Sequence, residues 1–146
     1  MNQPFYDLTT LDNAQTFNFE SIGKEKIQKK ILYQSTSREN FYNLALVDVL
    51  EDGSYDDTIE SNNGDMEKVL ATVVKSFIYF FEQNPDAIVL FRGSTESRTR
   101  LYQIVINKEL ASIISRFTIL GINGMKFEQF QKNKSYDGFA IALKKH

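Results

Sequence analysis

Residues 66–83 read Met66-Glu67-Lys68-Val69-Leu70-Ala71-Thr72-Val73-Val74-Lys75-Ser76-Phe77-Ile78-Tyr79-Phe80-Phe81-Glu82-Gln83, and this stretch decides the fold. Met66, Val69, Leu70, Val73, Val74, Phe77, Ile78 and Phe81 recur at i, i+3, i+4 and i+7, the spacing that lays apolar side chains along one face of a helix. Pro85 stands just beyond, where a helix cannot continue. Tyr79 and Phe80 fall off that stripe, so the last turn is apolar nearly all round. Such a surface needs a cover. The expectation is either the C-terminal segment or a partner, a second copy included, docking through Tyr79 and Phe80.

Strand signals lie on both sides of this helix. Upstream, residues 16–21 alternate polar and aromatic, the period of a half-buried strand. Gly23 supports a turn, Ile27, Ile31 and Tyr33 mark a second strand over 25–35, and the apolar, β-branched run 41–50 is a third. These three predict an antiparallel meander, preceded by an irregular arm over 1–14. Residues 51–65 form a turn-rich loop with six acids, in which Asn62, Asn63 or Asp65 can cap the helix. Downstream, 87–92 reads as a buried fourth strand. After a turn at Gly93-Ser94-Thr95, a second helix starts near Glu96, with a break expected near Asn107 and a resumption through Leu110, Ile113 and Ile114. Segments 117–122 and 125–130 flank Asn123-Gly124, a strong hairpin signal, and 138–144 alternates as a last strand. The order βββ-α-β-α-ββ-β predicts an α+β fold: a mostly antiparallel sheet with two main helices packed on one face, in a single domain over 1–146.

Composition then bounds the chemistry. The chain has 146 residues, 42% of them hydrophobic, with 12 Phe and 7 Tyr, enough for a real core and too apolar for disorder. It has no Cys, which removes disulfides, thiolate metal sites and thiol nucleophiles. Its one His is the terminal His146, so a Ser-His-Asp triad or a buried His base is not expected. These absences lean against an enzyme, and no cofactor or metal is expected. Met1 to Leu11 holds no Lys or Arg and no apolar core of a leader. The longest apolar run, Val69–Phe81, is broken by Thr72, Lys75 and Ser76 and falls short of the ~20 residues that span a bilayer. The reading is a soluble cytoplasmic protein with no membrane contact. Net charge is −2 overall, but residues 1–65 carry 12 acids and 5 bases whereas 66–146 carry 7 acids and 12 bases. That split either holds the halves together or serves partners of opposite sign.

Two segments carry candidate sites. In the first, Arg92, Gly93, Ser94, Thr95, Arg98 and Arg100 surround a strand–turn–helix. The glycine permits a sharp turn, the first helical N–H groups have no partner within the helix, and guanidinium forks suit phosphate or carboxylate. No Walker glycine–lysine pattern is present. Arg98 and Arg100 stand two apart and do not share a helix face, so at most one joins Arg92 on a given ligand. The competing reading is a capped helix with solvated or paired arginines. In the second, Asp57, Asn62, Asn63, Asp65 and Lys68 form a polar cluster at the first helix start, together with Asp48, Asp56 and Glu60. Hard cations take such oxygens, but the spacing is not that of an EF-hand, and a solvated, capping loop accounts for the same residues. Ser35-Thr36-Ser37 lacks the upstream Arg that an ADP-ribosyltransferase strand motif requires. In 109–123, Gly121 stands too far from Ala111 for a helix-turn-helix. The aromatics follow core periodicity and do not read as a base-stacking platform.

The runs Asn43-Leu44-Ala45 to Asp48, Ser61-Asn62-Asn63-Gly64-Asp65 with Lys68 to Val73, and Gly93-Ser94-Thr95 with Arg98-Thr99-Arg100-Leu101-Tyr102 resemble an uncharacterised bacterial family, mainly from Bacteroidota, known only as a domain of unknown function. Phe19 to Gly23, Phe130, Tyr136 and Phe139 extend the resemblance across nearly the whole chain. It implies no activity and carries over no catalytic residue. It brings the two candidate segments forward as a pair, and the expectation is that they adjoin, the acids facing the arginines.

Three functions follow as expectations, in this order. The first is a non-enzymatic binding or protein-interaction module, of the kind found in two-gene regulatory systems. The second is an enzyme or sensor for a phosphate-bearing ligand held by Arg92, Ser94 and Arg98. The third is nucleic-acid binding by the basic half, against which an overall pI near 5.5 argues.

Overall fold

A parallel strand pair joined by a helix organises the molecule. Strand β4 (Phe41–Val49) leads through helix α1 (Met66–Gln83) to β6 (Ile88–Phe91), which lies parallel to β4 with Asn43 opposite Leu90. The computed structural model describes residues 5–10, 14–56, 63–92, 95–113 and 115–144. Around that unit, β2 (Thr16–Ile22), β3 (Lys26–Ser35) and β4 form the expected meander. Helix α2 (Glu96–Ile113) follows β6. It leads into β7 (Phe117–Asn123), β8 (Lys126–Gln129) and β9 (Gly138–Leu143). Two short strands, β1 (Thr9–Thr10) on β2 and β5 (Tyr55–Asp56) on β4, complete one sheet of order β1-β2-β3-β4-β6-β9-β7-β8. All described pairings except β4–β6 are antiparallel, so the fold is α+β.

Both helices cover the same sheet face. Phe91 of β6 meets Phe77 of α1 and Tyr102 of α2, each at 5.5 Å between ring centroids. Glu67 in the first turn of α1 pairs with Lys108 of α2 at 2.8 Å. Helix α2 runs unbroken through Asn107, where an interruption was expected, with Ile106 buried. Burial of Tyr102 and Ile106 on a common face, four residues apart, outweighs the modest helix propensity of one Asn.

The cover of α1 differs from expectation. Phe80 does not face outward: it is fully buried, stacked on Tyr33 at 4.0 Å and edge-on to Tyr42 at 5.1 Å. The meander's own aromatics fill that side of the last turn, so Phe80 is unavailable to a partner, while Tyr79 stays exposed beside Phe17. The N-terminal arm covers another side. The Tyr6 N–H donates to Thr72 Oγ1 at 2.8 Å, and Lys68 and Lys75 sit over the Tyr6 and Phe5 rings.

Among the described residues, the other sheet face carries no helix. Side chains alternate along a strand and share a face with their cross-strand neighbours. With Val89 and Phe91 in the core, Ile88 and Leu90 turn away, as do Ala140 and Leu120 in register with Leu90. Ile122 and Phe127, opposite each other on β7 and β8, continue that apolar surface.

The Tyr33 hydroxyl pairs with Ser76 Oγ at 2.6 Å inside the core, and burial pushes its pKa far up. Burial, then the hydrogen bond to Asp65, also raises Tyr6. A phenol whose pKa rises on folding contributes stability that is complete below the free value of ~10 and lost as pH climbs through the folded value. Unfolding free energy is therefore expected to decline above pH ~10. Tyr33→Phe should flatten that alkaline limb in denaturant titrations, and an unchanged slope would contradict the assignment.

Candidate functional site

Strand β6 ends at Phe91, and Arg92, exposed, is the first residue beyond it. Two cavities meet at this residue. On the helix side, a polar cleft of about 380 Å³ is lined by Arg92, by Thr95, Glu96 and Thr99 from the start of α2, and by Asn123 and the 135–137 segment. On the open side, an apolar groove of about 460 Å³ is lined by Arg92 with Leu90, Ile122, Met125 and Phe127 among others. Open α/β sheets commonly take ligands beyond the carboxyl ends of their strands.

Each wall has a local cause. Thr95 precedes α2, and its carbonyl accepts the Thr99 N–H at 3.0 Å and the Thr99 hydroxyl at 3.1 Å. The first turn is thereby fixed at the cleft. The opposite wall is braced by the hairpin. Asp137 accepts the Gly124 N–H on Oδ2 at 2.7 Å and donates its own N–H to Ile122 O at 2.8 Å. Asn123 Nδ2 donates to Ser135 O at 3.3 Å. The Gln103 amide of α2 donates to Lys134 O, tying helix to wall. Tyr136 is buried against Phe130 and Phe139, and its hydroxyl accepts the Gln131 N–H at 2.9 Å. The ring lies directly on Gly121, where an added Cβ would sit 2.2 Å from it, so only glycine admits this close packing.

These bonds also move the hairpin turn by one residue. The central positions are Gly124 and Met125, with Gly124 at φ 59°, rather than Asn123 and Gly124. Asn123 stays in β7 because its side chain is held by Ser135 and its backbone pairs with Lys126.

The two predicted clusters are engaged differently. Asn63 is buried: Oδ1 accepts the Glu25 N–H at 2.7 Å, while Nδ2 donates to Ser21 Oγ at 3.0 Å and Glu25 O at 2.8 Å. Asp65 stands at the N-cap of α1 but makes no side-chain cap. Its Oδ2 accepts from the hydroxyls of Tyr6 and Ser21, both at 2.5 Å. Lys68 lies 4.2 Å from the Tyr6 ring centroid. Asn63, Asp65 and Lys68 thus fasten the N-terminal arm and the β2–β3 turn to α1, whereas Arg92 and Thr95 belong to the cleft with the 135–137 segment. Arg100 is exposed on α2. Asp57, Asn62, Gly93, Ser94 and the side chain of Arg98 lie outside the described residues. Tyr136, Asp137, Asn123 and Ser135 were not singled out from the sequence for this site. The polar run Ser135-Tyr136-Asp137 between two strand signals was the available cue. Among the described residues, no group of three or more acids or histidines is placed to hold a metal ion, and no helix is long and apolar enough to cross a membrane.

Fold and site together define a two-layer α+β domain in which a polar cleft and an apolar groove meet at the carboxyl end of a parallel strand. The chain belongs to a family of unknown function, DUF6934, whose model matches residues 2–144. No curated protein and no solved structure matches it.

Proposed function

We propose that this chain is a non-enzymatic binding module for a small amphipathic anion, one with a carboxylate or phosphate head and an apolar body. The observation that carries the reading is the position of Arg92 at the junction of the cleft and the groove. A guanidinium there takes the head by charge-assisted hydrogen bonds. Leu90, Ile122, Met125 and Phe127 offer the body a surface that already excludes part of its water. Glu96 and Asp137 stand in the cleft too, so a head with a single negative charge and added hydroxyl or amine donors suits it better than a polyanion.

Binding without turnover is favoured by how the cleft groups are used. Asp137, Tyr136 and Thr99 each spend a polar atom on bracing the walls. They are fitted to hold shape rather than to move protons.

Calorimetric titration with octanoate and with octyl phosphate tests the reading. Saturable binding is expected, with Arg92→Ala weakening it about 10- to 100-fold, the range for loss of a hydrogen bond to a charged group. Acetate and inorganic phosphate, which have heads but no bodies, should bind far more weakly. No saturable heat with either amphiphile, or equal binding by Arg92→Ala, would overturn it.

A further inference from the structure

Strand β8 is an edge of the sheet. Asn123 and Lys126 close its hairpin, and the Phe130 N–H donates to Ile119 O at 3.1 Å. Bonded and non-bonded pairs alternate along an antiparallel ladder. Lys126, Glu128 and Phe130 therefore turn their backbone groups toward β7, and Phe127 and Gln129 turn theirs away from the molecule. At this edge Phe127 is 54% and Met125 94% exposed. An apolar edge with outward N–H and C=O groups is a template for another strand.

We infer that β8 pairs antiparallel with β8 of a second copy about a two-fold axis, with Phe127 opposite Phe127. Charge selects this register. It sets Lys126 of each copy against Glu128 of the other, at non-hydrogen-bonded positions where facing side chains come closest. Of the neighbouring symmetric registers that use outward groups, those centred on Lys126 and on Glu128 set two like charges face to face, and the one centred on Gln129 sets Glu128 against Phe130 with no opposite charge across from it. Lys134 already meets Glu128 Oε1 at 2.5 Å, with the Glu128 side chain half-buried. A carboxylate accepts on both oxygens, so this contact leaves room for a second cation. The pairing stacks the two Phe127 rings on the uncovered sheet face and joins the two apolar grooves across the axis. It rests on edge geometry and charge, independently of any ligand.

A strand of this length buries modest area, so association is expected at roughly tens to hundreds of micromolar. Sedimentation of the full chain without ligand, over rising concentration, should show a reversible dimer. Lys126→Glu and Glu128→Lys should each weaken it about tenfold, since each reversal puts like charges opposite each other twice. The double variant should return association to near the wild-type value, with thermal melts confirming that all three variants fold. Monomer throughout the range would overturn the inference. So would a dimer indifferent to the single reversals, or one that the double variant fails to restore.

Discussion

Asp48→Asn is expected to lower the unfolding free energy by about 3 kcal/mol, the lower end of the cost of removing one charge of a buried ion pair, because Lys29 keeps a further interaction. Lys29 Nζ bonds Asp48 Oδ1 between adjacent strands, where the two side chains are only 2% and 9% exposed. Lys29 stands between Ile27 and Ile31 on the core-facing side of β3, a position whose pattern calls for an apolar residue. An ammonium held there loses most of its hydration, and the carboxylate is what makes that tolerable. Lys29→Met should be less harmful than Asp48→Asn, because it removes the buried ammonium itself rather than the carboxylate that compensates most of its charge. The double variant Lys29→Met/Asp48→Leu should recover much of the loss, since a well-packed apolar pair often matches a buried ion pair. Denaturant midpoints of the four proteins form the cycle. A loss below about 1 kcal/mol in Asp48→Asn would mean that water reaches the pair.

The second large effect is expected at Gly23. A Cβ built there would lie 1.7 Å from the Asn63 carbonyl oxygen, a backbone atom that cannot rotate aside. That carbonyl accepts the Lys24 N–H at 3.1 Å, and the Asn63 side chain makes its bonds to Glu25 next to it. Gly23→Ala must therefore push two loops apart. Overpacking of this kind costs about 1–3 kcal/mol, and each hydrogen bond lost adds about 1. A total near 3–5 kcal/mol is expected, read as a fall in melting temperature of at least about 10 °C for a domain of this size. Because Asp65 anchors Tyr6 beside the same turn, the N-terminal arm should loosen as well. A variant with wild-type melting and protease resistance would contradict the packing.

Helix α1 was legible because its burial is periodic and local: one stripe, a proline after it, and strands of period two on either side. Phe80 escaped that logic. Periodicity describes one face, and the aromatics that bury Phe80 come from β3 and β4, more than thirty residues upstream. Asp65 misled in a related way. Its type and position fit a cap, yet two hydroxyls, on Tyr6 and Ser21, outcompete the helix N–H groups for its carboxylate. The parallel pairing of β6 on β4 left no local trace, since a buried four-residue apolar run reads the same in either direction. At the site, Arg92 and Thr95 were found from the strand–turn–helix pattern. Their neighbours across the cleft were not, because Asn123 and Tyr136 arrive by way of a sheet order that places β9 between β6 and β7.

On the proposed reading, the cleft and the groove meeting at Arg92 act as one binding site. Nitrogen–proton correlation spectra of the full chain during an octanoate titration test it most directly. Saturable shifts are expected on both sides of the sheet at once, at Arg92 and Thr99, at Tyr136 and Asp137, and at Ile122 to Phe127, all following a single binding curve. Arg92→Ala should remove them. Shifts confined to one cavity, different curves for the two, or no saturable change near Arg92 would contradict it.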